Sequence, residues 1–177
     1  LNITEKMVLG TAQFGMDYGI ANRNGQVHGD EIAMILDLAL QNGIDTLDTA
    51  KAYGKSEEAI GNYLKMRPGN SCNIMTKLSE SDISVADQIK DSTEKLTVHP
   101  SVVLAHSAEL FLDEEFQSEL EGAKKDQLIR KTGVSLYGED EINQVLESAS
   151  KPNVIQLPMN ILDTKLYHCG ILGQLEE

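Results

Sequence analysis

The chain has 177 residues, which is enough for one domain with a buried core. Hydrophobic residues make up 41% and charged residues 24%, values that are typical of a globular protein and exclude a disordered one. The net charge of −13 argues against nucleic acid and anionic membrane surfaces as partners. No apolar run reaches the roughly 18 residues of a membrane span.

The cysteines and the first residues favour a cytoplasmic location. Cys72 and Cys169 have no metal-site spacing and are interpreted as reduced thiols, with one disulfide between them left open. The segment from Leu1 to Lys6 lacks the basic start and long apolar stretch of a signal peptide. We expect one domain over residues 1–177 and no metal. The histidines without metal-like spacing are His28, His99 and His168.

Short apolar runs of strand length alternate along the chain with segments of helical periodicity. The predicted strands are Met7–Leu9, Ile44–Leu47, Ile74–Thr76, Val102–Ala105, Thr132–Val134 and Val154–Leu157. The predicted helices contain the apolar stripes at 32–40, 59–64, 85–96 and 142–149, with a less regular one over 111–123. Asp30 and Ser56 are expected to begin the first two helices, and Ser81 or Ser84 the third. Alternating strands and helices indicate parallel βαβ units.

A polar residue follows each of the later strands at a regular spacing. Asp48, Lys77, His106 and Ser135 recur at intervals of 29 residues, and Gln156 closes the sixth strand. Equal units place these side chains at the same end of a parallel sheet. Because α/β folds bind their ligands at the carboxyl ends of the strands, these five residues are candidates for a site.

Both an open doubly wound sheet and a closed barrel fit this alternation. A dinucleotide-binding doubly wound fold would show G-x-G-x-x-G after a strand, and the nearest segment, Gly10 to Gly15, lacks the middle glycine. The near-equal units favour an α/β fold of the TIM-type (β/α)8 barrel, of which about six units are present. Two more units are expected beyond Glu177, so the C-terminal part of the barrel would be missing.

The segment after the second strand carries the most specific motif. Asp48 is followed five residues later by Tyr53, then by Gly54 and an acidic helix start, and this pattern resembles the aldo-keto reductase superfamily. The resemblance extends in order from Lys6 to Tyr167. The other matching segments are Leu9–Thr11, Thr76–Leu78, Leu104–His106, Gly133–Ser135 and Gln156–Asn160.

The resemblance implies an oxidoreductase that reduces an aldehyde or ketone with NADPH, or alternatively with NADH. The implied catalytic residues are Asp48, Tyr53, Lys77 and His106. The implied cofactor-binding residues are Gly10, Thr11, Asp48, Ser135 and Gln156. Leu136 stands where the family often has asparagine. The segment 10–21 is similar to a bacterial subgroup associated with sugar or surface-polysaccharide metabolism.

The residue types suit carbonyl reduction, which needs a hydride at carbon and a proton at oxygen. Tyr53 would donate the proton, although its reference pKa near 10 makes it a weak acid. An ammonium at about 4 Å is worth roughly 4 kcal/mol, so Lys77 is expected to lower that pKa by about three units before desolvation. Asp48 would hold Lys77, and His106 would orient the carbonyl.

Other interpretations of the same residues remain open. Lys77 and Asp48 could form a purely structural ion pair, Ser135 could cap the next helix, and Gln156 could bond only backbone. The chain could be a non-catalytic barrel that acts as a scaffold. It could also be a lyase in which Lys77 forms a Schiff base. We expect a small-molecule carbonyl substrate as the partner, and a monomer or small homo-oligomer.

Overall fold

Six short strands form one parallel sheet in which each strand pairs with the next along the chain. The computed structural model describes residues 3–175, apart from the side chains of Ile3 and Glu5; the ends of the predicted domain, residues 1–2 and 176–177, lie outside it. The strands are β1 (Val8–Gly10), β2 (Thr46–Asp48), β3 (Asn73–Leu78), β4 (Val102–Ala105), β5 (Lys131–Ser135) and β6 (Val154–Gln156). All six predicted strands are observed, each within one residue at its ends, except that β2 starts two residues later and β3 ends two residues later than predicted.

The sheet curls strongly, as one long-range hydrogen bond demonstrates. The side-chain amide of Gln156, on β6, donates to a carboxylate oxygen of Asp48, on β2, over 3.1 Å. Four strand spacings would separate β2 from β6 by about 19 Å in a flat sheet. The curl and the strictly sequential parallel order confirm the predicted TIM-type architecture, with six of its βα units present.

Helices follow the strands and cover the convex face of the sheet. The helices are α1 (Ala12–Gly15), α2 (Gly29–Gln41), α3 (Ser56–Met66), α4 (Val85–Leu96), α5 (Ala108–Leu112), α6 (Glu114–Lys125), α7 (Glu139–Glu147), α8 (Lys165–His168) and α9 (Ile171–Gln174), after a 3-10 turn at Ile3–Lys6. Within residues 3–175, no helix combines the length and apolar character that crossing a membrane requires. Cys72 and Cys169 are free thiols, so the disulfide considered above does not form.

Local side-chain chemistry explains where some helices begin. The Ser84 hydroxyl accepts the backbone N–H of Asp87 and caps α4, as predicted. The stretch 111–123 is helical, as predicted, except at Asp113, where the carboxylate accepts the N–H of Phe116 and a second helix, α6, begins. Helix α3 begins at Ser56, as predicted, with Lys55 in the capping position, whereas Asp30 is the second residue of α2, which begins at Gly29.

Two apolar clusters pack the helices against the sheet. One joins α4 to α9 with the later strands around Phe111, Leu120 and Val134. The other joins α1 to α4 with the earlier strands around Leu36 and Tyr63. The middle strands are largely buried, whereas β1 and β6, at the two ends of the sheet, are partly exposed. This packing fixes the carboxyl ends of the strands, where the polar residues lie.

Candidate active site

The five polar residues singled out by their spacing lie at the carboxyl ends of consecutive strands. Asp48, Ser135 and Gln156 are the last residues of β2, β5 and β6. His106 directly follows β4. Lys77 was expected just after β3 but is its penultimate residue, because this strand continues through Leu78. The parallel order of the sheet brings all of them to one rim.

Lys77 is the centre of the polar cluster at this rim. Its side chain is only 2% exposed. The ammonium Nζ donates to Asp48 Oδ1 at 2.6 Å, to the backbone oxygen of Thr49 at 3.1 Å, and to the Tyr53 hydroxyl at 3.4 Å. These three contacts match the three donors of an ammonium. The buried positive charge is therefore paired, and the tyrosine hydroxyl is fixed next to it.

The pKa of Tyr53 departs from the sequence expectation. Burial, and then the Asp48 carboxylate, raise the pKa of Tyr53 to about 12, with smaller contributions from Tyr137 and Tyr18. The net shift is opposite in direction to the lowering expected from Lys77 before desolvation, and burial is its largest cause. Burial in turn lowers the pKa of Lys77, and Asp48 opposes this. Tyr53 therefore holds its proton throughout the neutral range and is an acid, not a phenolate.

His106 also lies next to Tyr53. The two rings meet edge to face, with centroids 6.4 Å apart and planes at 83°. Burial and then the positive charge of Lys77 lower the pKa of His106 below its ordinary value of 6.5. The imidazole is consequently neutral at pH 7, with one N–H donor and one acceptor nitrogen. Its Nδ1 lies 3.3 Å from the Ser79 hydroxyl oxygen.

A close contact between two glycines positions the turn that carries Tyr53. A Cβ on Gly15, at the end of α1, would lie 1.7 Å from the backbone oxygen of Tyr53. Gly54 has φ of +57°, and a Cβ there would lie 2.4 Å from the backbone oxygen of Gly15. The two backbones can approach this closely only without side chains. Gly15 therefore belongs to the support of the site, although the sequence analysis did not assign it this role.

The two residues at the end of β1 differ in what they offer. Thr11 is fully buried, and its hydroxyl donates to the backbone oxygen of Asp48 at 2.8 Å and contacts Ser56 Oγ at 2.9 Å. Its side chain is thus occupied in holding β1 against β2 and α3. Gly10 borders open space, since a Cβ there would meet no atom within 4 Å. Their expected contact with a cofactor stays a prediction.

Ser135 and Gln156 provide polar groups on the later strands. Ser135 is buried at the end of β5, adjacent to β6. The Gln156 carbonyl oxygen Oε1 is also buried and has no hydrogen-bond partner among the described residues. An orphaned buried acceptor of this kind suits an amide N–H₂ from a ligand, because leaving it unsatisfied is costly. The Ser135 hydroxyl and the Gln156 carbonyl oxygen therefore fit a carboxamide such as that of nicotinamide.

Ser79 is the residue at this rim that the sequence analysis missed. It follows β3 and lies two residues after Lys77. Its position directly after the end of β3, close to Lys77, is the signal that could have found it.

Comparisons with known proteins identify the family of the chain. The family model of the aldo/keto reductase family matches residues 6–170, and the chain therefore belongs to that family. A search of curated proteins gave no match.

Solved structures of aldo-keto reductases share the fold. One from Pseudomonas aeruginosa has 26% sequence identity and a TM-score of 0.76, with 95% of this chain and 68% of that chain covered. One from Bombyx mori, in complex with NADP, has 24% identity and a TM-score of 0.68, with 94% and 59% covered. One from Klebsiella pneumoniae, in complex with NADP and acetate, has 15% identity and a TM-score of 0.76, with 96% and 60% covered. The chain thus spans 59–68% of the length of these three proteins.

Proposed function

We propose that this chain carries the catalytic residues of a nicotinamide-dependent reductase of small-molecule aldehydes or ketones. The observation that carries the proposal is the buried Lys77 ammonium, which contacts both the Asp48 carboxylate and the Tyr53 hydroxyl. We favour sugar-derived carbonyls as the substrate class and NADPH as the hydride donor. We favour the cytoplasm as the location. The function rests on the family and on this geometry together.

Tyr53 is proposed as the general acid. Reduced nicotinamide, when bound, supplies the hydride to the carbonyl carbon. Tyr53 gives its hydroxyl proton to the carbonyl oxygen, so that the carbonyl becomes an alcohol, and Tyr53 regains a proton from solvent. The phenolate left for a moment on Tyr53 faces Lys77 at 3.4 Å. At an effective dielectric constant near 20, this attraction alone is worth about 5 kcal/mol, and burial and the Asp48 carboxylate offset it, so the pKa of Tyr53 stays high.

The remaining residues would hold the reactants. Neutral His106 would donate a hydrogen bond to the carbonyl oxygen and orient it toward Tyr53. Asp48 holds Lys77, and Gln156 supports Asp48 through its amide. Ser135 and the free carbonyl oxygen of Gln156 would hold the nicotinamide carboxamide.

The Schiff-base alternative fits this environment poorly. Lys77 is 2% exposed and donates to Asp48 and to the Thr49 backbone, so its nitrogen has neither access to a substrate carbonyl nor a free lone pair. Borohydride in the presence of a carbonyl compound should therefore leave no adduct on Lys77, which mass spectrometry of the intact chain can check.

A fluorescence titration with NADPH, and with NADH in parallel, tests cofactor binding. We expect saturable binding that is weakened by Ser135→Ala and by Gln156→Ala. Two exposed positions provide matched controls, Ser118→Ala and Gln41→Ala, which should leave binding unchanged. A folded chain that binds neither dinucleotide would contradict the proposal.

Reduction assays with aldehydes test the role of Tyr53. Tyr53→Phe should lower kcat by about 10²- to 10⁴-fold while NADPH binding is preserved. Tyr167→Phe, which removes an exposed hydroxyl, is the matched control and should keep full activity. Cofactor binding without any reduction by the wild-type chain would favour the scaffold interpretation.

A further inference from the structure

Ser79 is the one polar side chain of the described residues that hydrogen-bonds the His106 ring. Its hydroxyl lies 3.3 Å from Nδ1. The backbone N–H of His106 donates to the Leu78 oxygen at 2.9 Å, which ties the start of the loop after β4 to the end of β3. No protein group within residues 3–175 bonds Nε2. The ring is thus anchored through Nδ1, and its other nitrogen is left for a ligand.

The direction of the hydrogen bond between Ser79 and His106 decides what Nε2 can do. A neutral imidazole carries its proton on one nitrogen and a lone pair on the other. If Ser79 accepted from Nδ1–H, Nε2 would present a lone pair and repel the oxygen of a carbonyl. If Ser79 donates to Nδ1, Nε2 carries the hydrogen and can donate to that oxygen. The contact with Tyr53 selects neither tautomer, since the rings meet edge to face at 6.4 Å.

We propose that Ser79 is a positioning residue whose hydroxyl donates to Nδ1 and holds His106 as the Nε2–H tautomer. Ser79 acts through His106 and does not touch the reacting atoms. Its effect on the reaction rests on the proposed function, because a carbonyl oxygen is what requires a donor at Nε2. The tautomer itself is a property of the free protein.

The tautomer can be measured without cofactor or substrate. Long-range ¹⁵N–¹H correlation spectra of the uniformly labelled chain, with His106 assigned by a His106→Gln variant, distinguish protonated from unprotonated ring nitrogens. In the wild-type chain at pH 7.5 we expect a protonated Nε2 and an unprotonated Nδ1. Ser79→Ala should give a mixture of tautomers, and Ser79→Thr, which retains a hydroxyl, should restore the wild-type spectrum.

A neighbouring serine provides the matched control. Ser81 lies on the same loop, and its hydroxyl accepts the backbone N–H of Ile83 and does not contact His106. Ser81→Ala should therefore leave the His106 signals in place. Circular dichroism of each variant reports whether the fold is intact. A wild-type Nδ1–H tautomer, or an unchanged tautomer in folded Ser79→Ala, would overturn the assignment.

Kinetics connect the tautomer to catalysis. We expect Ser79→Ala to lower kcat about 3- to 10-fold, the effect of losing one orienting hydrogen bond, with an unchanged Kd for NADPH and recovery in Ser79→Thr. An unchanged kcat despite a mixed tautomer would refute the positioning role. Absence of any reductase activity in the wild-type chain would refute the proposed function instead, and the spectra would still report the tautomer.

Discussion

Replacing Gly15 with alanine is the sharpest test of how the structure positions its general acid. The new Cβ would lie 1.7 Å from the Tyr53 backbone oxygen, 2.4 Å from the Ser56 nitrogen and 2.8 Å from the Lys55 nitrogen. All three are main-chain atoms of the turn between β2 and α3 or of the first residue of α3. No side-chain rotation can relieve the contact, so the turn itself must move.

The size of the movement sets the expected loss of activity. To restore a contact of 3.0 Å, the Tyr53 oxygen must retreat by about 1.3 Å, and the phenol is carried on the same turn. A displacement of about 1 Å in a reacting group costs on the order of 10²-fold in rate, or about 2.7 kcal/mol of transition-state stabilisation. Overpacking should lower the free energy of unfolding by about 1–3 kcal/mol.

The assay compares kcat/KM for aldehyde reduction at a temperature where every variant is folded. Gly122→Ala is the matched control, because a Cβ there meets no atom within 4 Å and should leave activity unchanged. In a Tyr53→Phe background, Gly15→Ala should have little further effect. If folded Gly15→Ala kept more than about a third of the wild-type kcat/KM, the reasoning would be refuted, since a 1.3 Å shift cannot be so mild.

Three further predictions concern the charges of the site. Lys77→Met leaves the Asp48 carboxylate without its partner and should lower the free energy of unfolding by about 3–5 kcal/mol in urea titrations. Adding Asp48→Asn should restore most of this stability but no activity. A double variant as unstable as Lys77→Met would contradict the pairing. Gln156→Glu brings a second carboxylate to Asp48, so it should destabilise more at pH 8, where the introduced glutamate is ionised, than at pH 4; equal urea midpoint shifts at both pH values would speak against the contact. The third prediction is that the rate of reduction stays level from about pH 7 to about pH 10. The reason is that Tyr53, with a pKa of about 12, keeps its proton, and that His106, with a lowered pKa, stays neutral. A decline of the rate centred near pH 9 in stopped-flow measurements would contradict this and would indicate that Lys77 controls the tyrosine.

Burial explains why the strands were predictable from sequence. In the middle of a parallel sheet both faces are covered, so runs such as Val102–Ala105 are continuously apolar, and the structure has this strand at the same bounds. The break at Asp113 was missed because the apolar stripes of α5 and α6 continue across it. Only the capping bond from Phe116 distinguishes two helices from one there.

The candidate site was predictable in its membership but not in its electrostatics. Regular spacing and the order of motifs placed Asp48, Lys77 and His106 at one rim. The direction of the Tyr53 pKa depends first on burial and then on the Asp48 carboxylate, and both follow from coordinates, not from sequence. Gly15 was missed for a similar reason, because its contact with the Tyr53 turn joins residues that are distant in the chain.

The hydrogen bond from Gln156 to Asp48 has a consequence for the order in which the molecule assembles. The Lys77–Asp48 pair joins residues 29 apart in the chain, whereas the Gln156–Asp48 bond joins residues 108 apart. Chain entropy makes the longer closure costlier by about 1.2 kcal/mol. The general acid and its ammonium can therefore come together within a local βαβ segment, and we expect the curl that brings the last strand to them to form later in folding.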